Sequence, residues 1–517
     1  MKLHKLPLSV IAAAAMLSAG PAMAQKAKDT LRVGFYQPIS IVDLIENPQP
    51  EVTLMASAVF ESLIRFDADS RTFKPELAKS WTRVNDTTLE FKLRDDIKFQ
   101  DGSAFDADDV VYTVNYAIDP KNNFRFKFPR YGWIDHVEKV DQYTVRIVGK
   151  QKFAADIERD AENLPIYPSD YHAAMVAKSK DAFGKAPIGT GPYRVLSVDS
   201  TKGVVMERFD GFVAAGKSNP AAKIKRVEIA PIPDRQTQAA RMLTGEQDLM
   251  YDVEKDQADE MAEQPNMTLT VFPSVNFSYM YFDSADKSGI HVFKDKRVRE
   301  ALAHAVNREA MNKALQPKAA ANEPLPMGMC NRWHIACDFT AKPMDYDPAK
   351  AKALLAEAGL KDGFDLQITS WGRTKDIAEA VAGELRKIGV RAKVNYLTFG
   401  AYNKIRDEGK VQMFVSYWDN GGAQADVHTT AAFFYAPGTR NYTGDKSLTG
   451  LMAKGVSVFG EDERKAIYRQ LFNKVNEEVY LFPLIALPSV MIHSKDLVIE
   501  GDQKSPEGFK FNRLHWQ

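Results

Sequence analysis

Between residues 364 and 426 the alternation of apolar and polar positions changes period twice. Leu366, Ile368 and Ser370 alternate with Asp365, Gln367 and Thr369, the period of a strand. Beyond Trp371-Gly372-Arg373-Thr374-Lys375, the residues Ile377, Val381, Leu385 and Ile388 fall on one helical face. Asp376 with Glu379 forms an acidic capping box at its start, and Gly389 supplies its stop. Val390, Ala392, Val394 and Tyr396 alternate again, and a further strand over 411–418 runs into residues 419–426. The pattern predicts a βαβ unit with parallel strands and a right-handed crossover.

That prediction places a site. Ligands of open α/β sheets sit beyond the carboxyl ends of the strands, and the loops holding Arg373 and following Trp418 both leave such ends. Arg373 stands beside a helix N-terminus, whose N–H groups favour an anion, and suits a carboxylate. Trp371 and Trp418 suit apolar walls, and Asp419 or Asp426 suits an amine. For Asp426 a second role stays open, ordering its own loop through backbone N–H groups. Tyr36 and Tyr442 are further contact candidates.

Elsewhere the pattern predicts a strand over 31–35, a helix over 52–61 and an extended segment over 63–66. A hairpin follows, with an alternating strand over 89–93, a turn at Asp101-Gly102, and a helix capped by Asp106 and Asp109. Asp347 as N-cap, Pro348 in the first turn and Gly359 past the end outline another helix.

The 517 residues exceed one core, so two or three domains are expected. A hydrophobic share of 45% and a charged share of 26% are those of a globular protein. Lys+Arg and Asp+Glu both number 68, with no basic run, which argues against a nucleic-acid partner. Lys2 and Lys5, an apolar stretch over 6–17 and Ala22-Met23-Ala24 form a signal peptide cleaved after Ala24, so a periplasmic location is expected. No Cys follows the cleavage site to take a lipid. Cys330 and Cys337, so close in an exported chain, read as a disulfide. His334 between them leaves too few ligands for a zinc site. No G-x-S-x-G, H-E-x-x-H, C-x-x-C, P-loop or dinucleotide fingerprint is present. We therefore name no catalytic residue, no metal ligand and no cofactor. Trp81, Trp133 and Trp516 read as packing residues.

The densest motif carries a resemblance. Leu77-Ala78-Lys79-Ser80-Trp81, Asp86, Leu89-Glu90-Phe91-Lys92-Leu93-Arg94 and the run through Ile97, Phe99, Gln100-Asp101-Gly102 and Phe105-Asp106-Ala107-Asp108-Asp109-Val110 resemble the family 5 extracellular solute-binding proteins. These are the peptide/nickel-type receptors of bacterial ABC importers. Gln100 stands where the family usually has His. Gly189-Thr190-Gly191-Pro192-Tyr193-Arg194, Phe293 to Leu302, the Asp347-Pro348 helix, Gly372-Arg373 with Asp376, and Pro483-Leu484-Ile485 follow in the family's order.

The resemblance implies an α/β, two-lobed periplasmic-binding-protein fold with an extra inserted subdomain, the three-part cluster C type. Domain I would comprise 25–60, 189–275 and 483–517, domain Ib 61–188, and domain II 276–482. The crossings between lobes would lie near Phe272-Pro273 and Phe482-Pro483. It further implies a monomeric, non-enzymatic receptor that closes its lobes over a small molecule and delivers it to an inner-membrane permease. Gly421 replaces the Asp that follows the second-lobe Trp in oligopeptide and dipeptide receptors. Gln424-Ala425-Asp426 is instead similar to the glutathione-import branch. A short peptide, glutathione-like compound or opine-like conjugate is expected. A sugar or metal chelate on the same fold, or a periplasmic hydrolase, are the alternatives.

Overall fold

The computed structural model describes residues 29–47, 49–67, 70–122, 124, 131–156, 164–216, 219–331, 333–338, 342–418, 426–501 and 509–517. The expected signal peptide and Asp419 lie outside the described residues.

Three larger sheets organise the chain. A seven-stranded sheet runs in the order Met267–Phe272, Ser489–Ser494, Leu249–Tyr251, Thr30–Phe35, Arg226–Pro231, Gly203–Arg208, Tyr193–Asp199. Its Thr30–Phe35 strand is parallel to both neighbours and the other pairs are antiparallel. A five-stranded sheet runs Arg391–Leu397, Asp365–Trp371, Met413–Trp418, Phe277–Phe282, Leu481–Ala486. Its first three strands are parallel, as the predicted βαβ unit requires. A four-stranded antiparallel sheet, Ala78–Asn85, Thr88–Leu93, Thr144–Gly149, Ile134–Asp141, packs against the helix Ala107–Ile118. That helix carries the predicted cap: Asp106 accepts from Asp108 N, and Asp109 reaches back to Asp106 N.

Side-chain alternation explains how the five-stranded sheet is buried on both faces. Along Phe277–Phe282, Met280 and Phe282 join one apolar cluster with Ile368 and Val415. Phe277, Tyr279 and Tyr281 join another with Phe414 and Trp418. The seven- and four-stranded sheets share a third cluster.

The chain passes between the seven- and five-stranded sheets at residues 273–276 and again at Leu487-Pro488. The second crossing falls past the expected Phe482-Pro483. Pro483 sits inside the strand Leu481–Ala486, opposite Tyr279. That strand is the edge of its sheet, the position where a residue without an N–H is tolerated.

Two details of the central unit also differ from the sequence reading. The helix runs Lys375–Lys387 behind a short 3₁₀ turn, Gly372–Thr374, so Asp376 lies in its first turn and does not cap it. Thr374 turns inward instead, its hydroxyl donating to Trp371 O at 2.8 Å. An additional helix, Phe399–Asp407, stands between the second and third parallel strands.

Candidate functional site

A cavity of about 2390 Å³ lies between the sheets. Parallel strands from both lobes end at it, which is where ligands of α/β sheets bind. From the five-stranded sheet, Asp365–Trp371 delivers Trp371, Gly372 and Arg373, and Met413–Trp418 delivers Tyr417 and Trp418. From the seven-stranded sheet, Thr30–Phe35 delivers Phe35 and Tyr36, and Leu249–Tyr251 delivers Tyr251 and Asp252. The four-stranded body adds Trp133 and Phe153, whose rings stack at 5.8 Å.

Trp371 is held on three sides. Its Nε1 donates to Ser416 Oγ at 3.0 Å. Its ring stacks on Tyr417 at 4.9 Å and packs against Phe399 at 4.3 Å and Tyr402 at 5.6 Å. Phe399 and Tyr402 come from the extra helix. Trp418 packs on Phe433 at 4.5 Å. Among the described residues, the indole N–H groups of Trp418 and Trp133 are buried with no acceptor. A buried donor without a partner is costly, so both are candidates to donate to a ligand. Trp133, read from sequence as packing, is thus also a wall of the cavity.

Arg373 lines the cavity and reaches across it. Its Nη2 lies 2.9 Å from Asp252 Oδ1, and it also meets Pro488 O at 3.4 Å, beside the second crossing. Tyr36 is 46% exposed, with the Arg235 guanidinium 5.0 Å from its ring centre.

Asp426 and Tyr442 do not line the cavity. Asp426 is 2% exposed and caps the helix Val427–Tyr435 through His428 N. Both its oxygens accept from Arg464, at 2.7 and 2.6 Å. These contacts occupy both carboxylate oxygens, and residues 419–425 of the preceding loop lie outside the described residues. Tyr442 is fully buried, donating to Arg406 O at 2.7 Å. Among the described residues, no group of three or more His, Cys, Asp or Glu is placed to hold a metal ion.

Sequence reasoning missed Asp252, Phe399, Tyr402 and Phe433. Asp252 alone carried a signal, since it follows a short apolar strand at its carboxyl end.

A family model, bacterial extracellular solute-binding proteins, family 5 (middle), matches residues 72–440, and the chain belongs to that family. The glutathione-binding protein GsiB of Salmonella paratyphi A is 28% identical over 525 residues, covering 98% of this chain and 97% of that protein. A dipeptide-binding protein from Pseudoalteromonas sp. SM9913, solved with Met-Leu, shares the fold with a TM-score of 0.80 at 20% identity, over 94% of this chain and 100% of the other. NikZ from Campylobacter jejuni, solved with Ni(L-His), does so with a TM-score of 0.78 at 23% identity, over 94% and 99%. The architecture is therefore the two-lobed solute-binding fold.

Proposed function

We propose that the protein is the periplasmic substrate-binding component of an ABC importer. It captures a short peptide or peptide-like amino-acid conjugate and delivers it intact to an inner-membrane permease. The observation that carries this reading is the aromatic cavity between the lobes with the charged Arg373 reaching across it. The similarity to glutathione-binding proteins along nearly the whole chain supports the ligand class. In this reading Arg373 takes a carboxylate, Trp371, Trp418 and Tyr36 pack against the ligand, and Trp418 Nε1 donates to a carbonyl. The chain is exported by cleavage after Ala24 and acts as a monomer. The strand membership of the sheets supports a division into domain I, inserted domain Ib and domain II, with domain II continuing to about Leu487.

The test is native mass spectrometry of the purified mature protein, with release and identification of whatever co-purifies, followed by calorimetric titration. A bound peptide or amino-acid conjugate, recovered uncleaved, is expected. A sugar would overturn the charge assignment, and a cleaved ligand would favour a hydrolase. Arg373→Ala removes a charge-assisted hydrogen bond of about 1.5–3 kcal/mol. Affinity for a carboxylate ligand should then fall about ten- to hundredfold. Unchanged affinity would remove Arg373 from the site.

A further inference from the structure

The strands Ile64–Asp67 and Thr72–Pro75 pair as a two-stranded hairpin on the first lobe. Leu63 O anchors its base, accepting from Glu76 N at 3.3 Å and Ala78 N at 2.8 Å, and Leu63 and Ile64 belong to the first lobe's apolar cluster. Its outer end meets the loop closed by Cys330 and Cys337, whose Met329, Cys330 and Ala336 belong to a cluster of the five-stranded sheet. Two contacts make this junction. Arg71 Nη2 donates to His334 O at 3.1 Å. Phe66, only 6% exposed, packs with Phe73 and Ile335. Phe73 also touches the first-lobe cluster and Ile335 the second-lobe one, so these three side chains splice the two cores.

Each side of the junction holds a residue with a Cβ in the left-handed region, Arg71 at φ 52° and Ala336 at φ 61°. That conformation is uphill for both and persists only where the surroundings fix it. For Ala336 the surroundings are the loop itself. The disulfide joins two cysteines seven positions apart. Cys337 N donates to the same His334 O, at 3.4 Å, and Asn331 N donates to His334 Nδ1 at 3.1 Å. The bridge therefore fixes the carbonyl that Arg71 grips and the neighbouring Ile335.

We propose that the Cys330–Cys337 loop is a latch that holds the lobes together before ligand binds, and that its grip depends on the disulfide. A bridge closing so short a loop removes less entropy from the unfolded chain than a long one, so its effect falls on local shape more than on overall stability. Reduction by a dithiol breaks the S–S bond. Each sulfur takes one electron and one proton, and the dithiol closes to a cyclic disulfide. Ala336 then relaxes, His334 O leaves Arg71, and Ile335 leaves Phe66. Oxidation closes the latch again.

The experiment is small-angle scattering of the mature protein, dialysed free of ligand. It compares wild type with Cys330→Ser/Cys337→Ser, with Arg71→Gly and with all three changes combined. Glycine suits φ 52°, so Arg71→Gly removes the side-chain contact without straining the turn. Both variants should have a larger radius of gyration than oxidised wild type. The combined variant should match the disulfide-free one, since Arg71 then has nothing left to grip. Dithiothreitol, with two free thiols counted, should bring wild type to the disulfide-free radius, and reoxidation should restore the original. An unchanged radius in the disulfide-free variant overturns the proposal, as does one that grows further when Arg71→Gly is added. Should that variant fail to fold, reduced wild type supplies the same comparison, and an unchanged radius there is equally fatal. None of these readouts depends on the class of ligand, so the receptor reading stands or falls separately.

Discussion

Single residues here act through what they are denied as much as through what they touch. Gln100 replaces a His in a family motif, at what reads as an ordinary turn. In the structure its amide donates to Tyr193 O at 2.7 Å and Gly191 O at 3.1 Å, and accepts from Gly189 N at 3.1 Å. It locks the glycine turn against the helix Pro50–Val59, where a Cβ at Gly189 would collide with the Val59 carbonyl. Glu61 is the opposite case. It is buried beside Glu76, and Asn219 donates to both carboxylates at 3.2 Å. Burial, reinforced by the Glu76 charge, pushes the Glu61 carboxyl from 4.5 up to about 8. The folded protein therefore holds this proton more tightly than the unfolded chain. The stability it contributes is whole below pH 4.5 and is lost as pH rises through about 8. Glu61→Gln keeps the shape without the ionisation. Its melting temperature should fall less than that of wild type between pH 5 and pH 9, and parallel pH profiles would contradict a buried protonated Glu61.

At the scale of elements, the start of the helix Val427–Tyr435 is fixed by two others. Asp426 caps that helix and pairs with Arg464 on the helix Glu461–Glu477. The Cys330–Cys337 disulfide closes a loop whose Ile335 O accepts from Val427 N at 3.2 Å. His334, inside that loop, is held by burial at about 4, so it is neutral near pH 7. Removing one partner of a buried ion pair costs about 3–5 kcal/mol because the other charge stays buried. Asp426→Asn should accordingly lower the unfolding midpoint in urea, with ligand affinity falling only as far as the helix loosens. A variant of unchanged stability that no longer binds ligand would restore Asp426 to the ligand site. The two Cys and Asp426 were legible as separate features. That they meet was not, since 89 residues separate Cys337 from Asp426 and no local pattern spans them.

Over the whole molecule, the lobes touch on both sides of the cavity. Near the crossings stands Arg373 with Asp252. Away from them, Ala154 N donates to Val456 O at 2.7 Å, Arg83 lies 3.9 Å over the Phe459 ring, and Phe153 meets His428 edge-on at 5.3 Å. These contacts join the four-stranded body to helices packed on the five-stranded sheet, so they break when the lobes part. A cation–π contact contributes about 0.5–2 kcal/mol. Phe459→Ala should shift the unliganded protein toward open forms. A larger radius of gyration by small-angle scattering and a severalfold weaker ligand affinity are the expected readouts. An unchanged radius with unchanged affinity would show that this contact does not hold the lobes.

What the sequence determined by itself is whatever local periodicity and short motifs encode. The parallel βαβ unit, the Asp106 and Asp347 caps, the paired cysteines and the family all follow from residues a few positions apart. So does the loop of Arg373, because a strand end beside a helix start has its own pattern. The tertiary structure alone decided which charges face each other. Asp426 and Arg464 look like loop and surface residues until two helices pack and bury them. Asp252 stands legibly at a strand end, but its partner Arg373 shows only once the two sheets face each other across the cavity. Packing of distant elements sets partners, and it decides whether an ion pair is closed inside the protein, as Asp426 with Arg464, or lines the cavity, as Asp252 with Arg373.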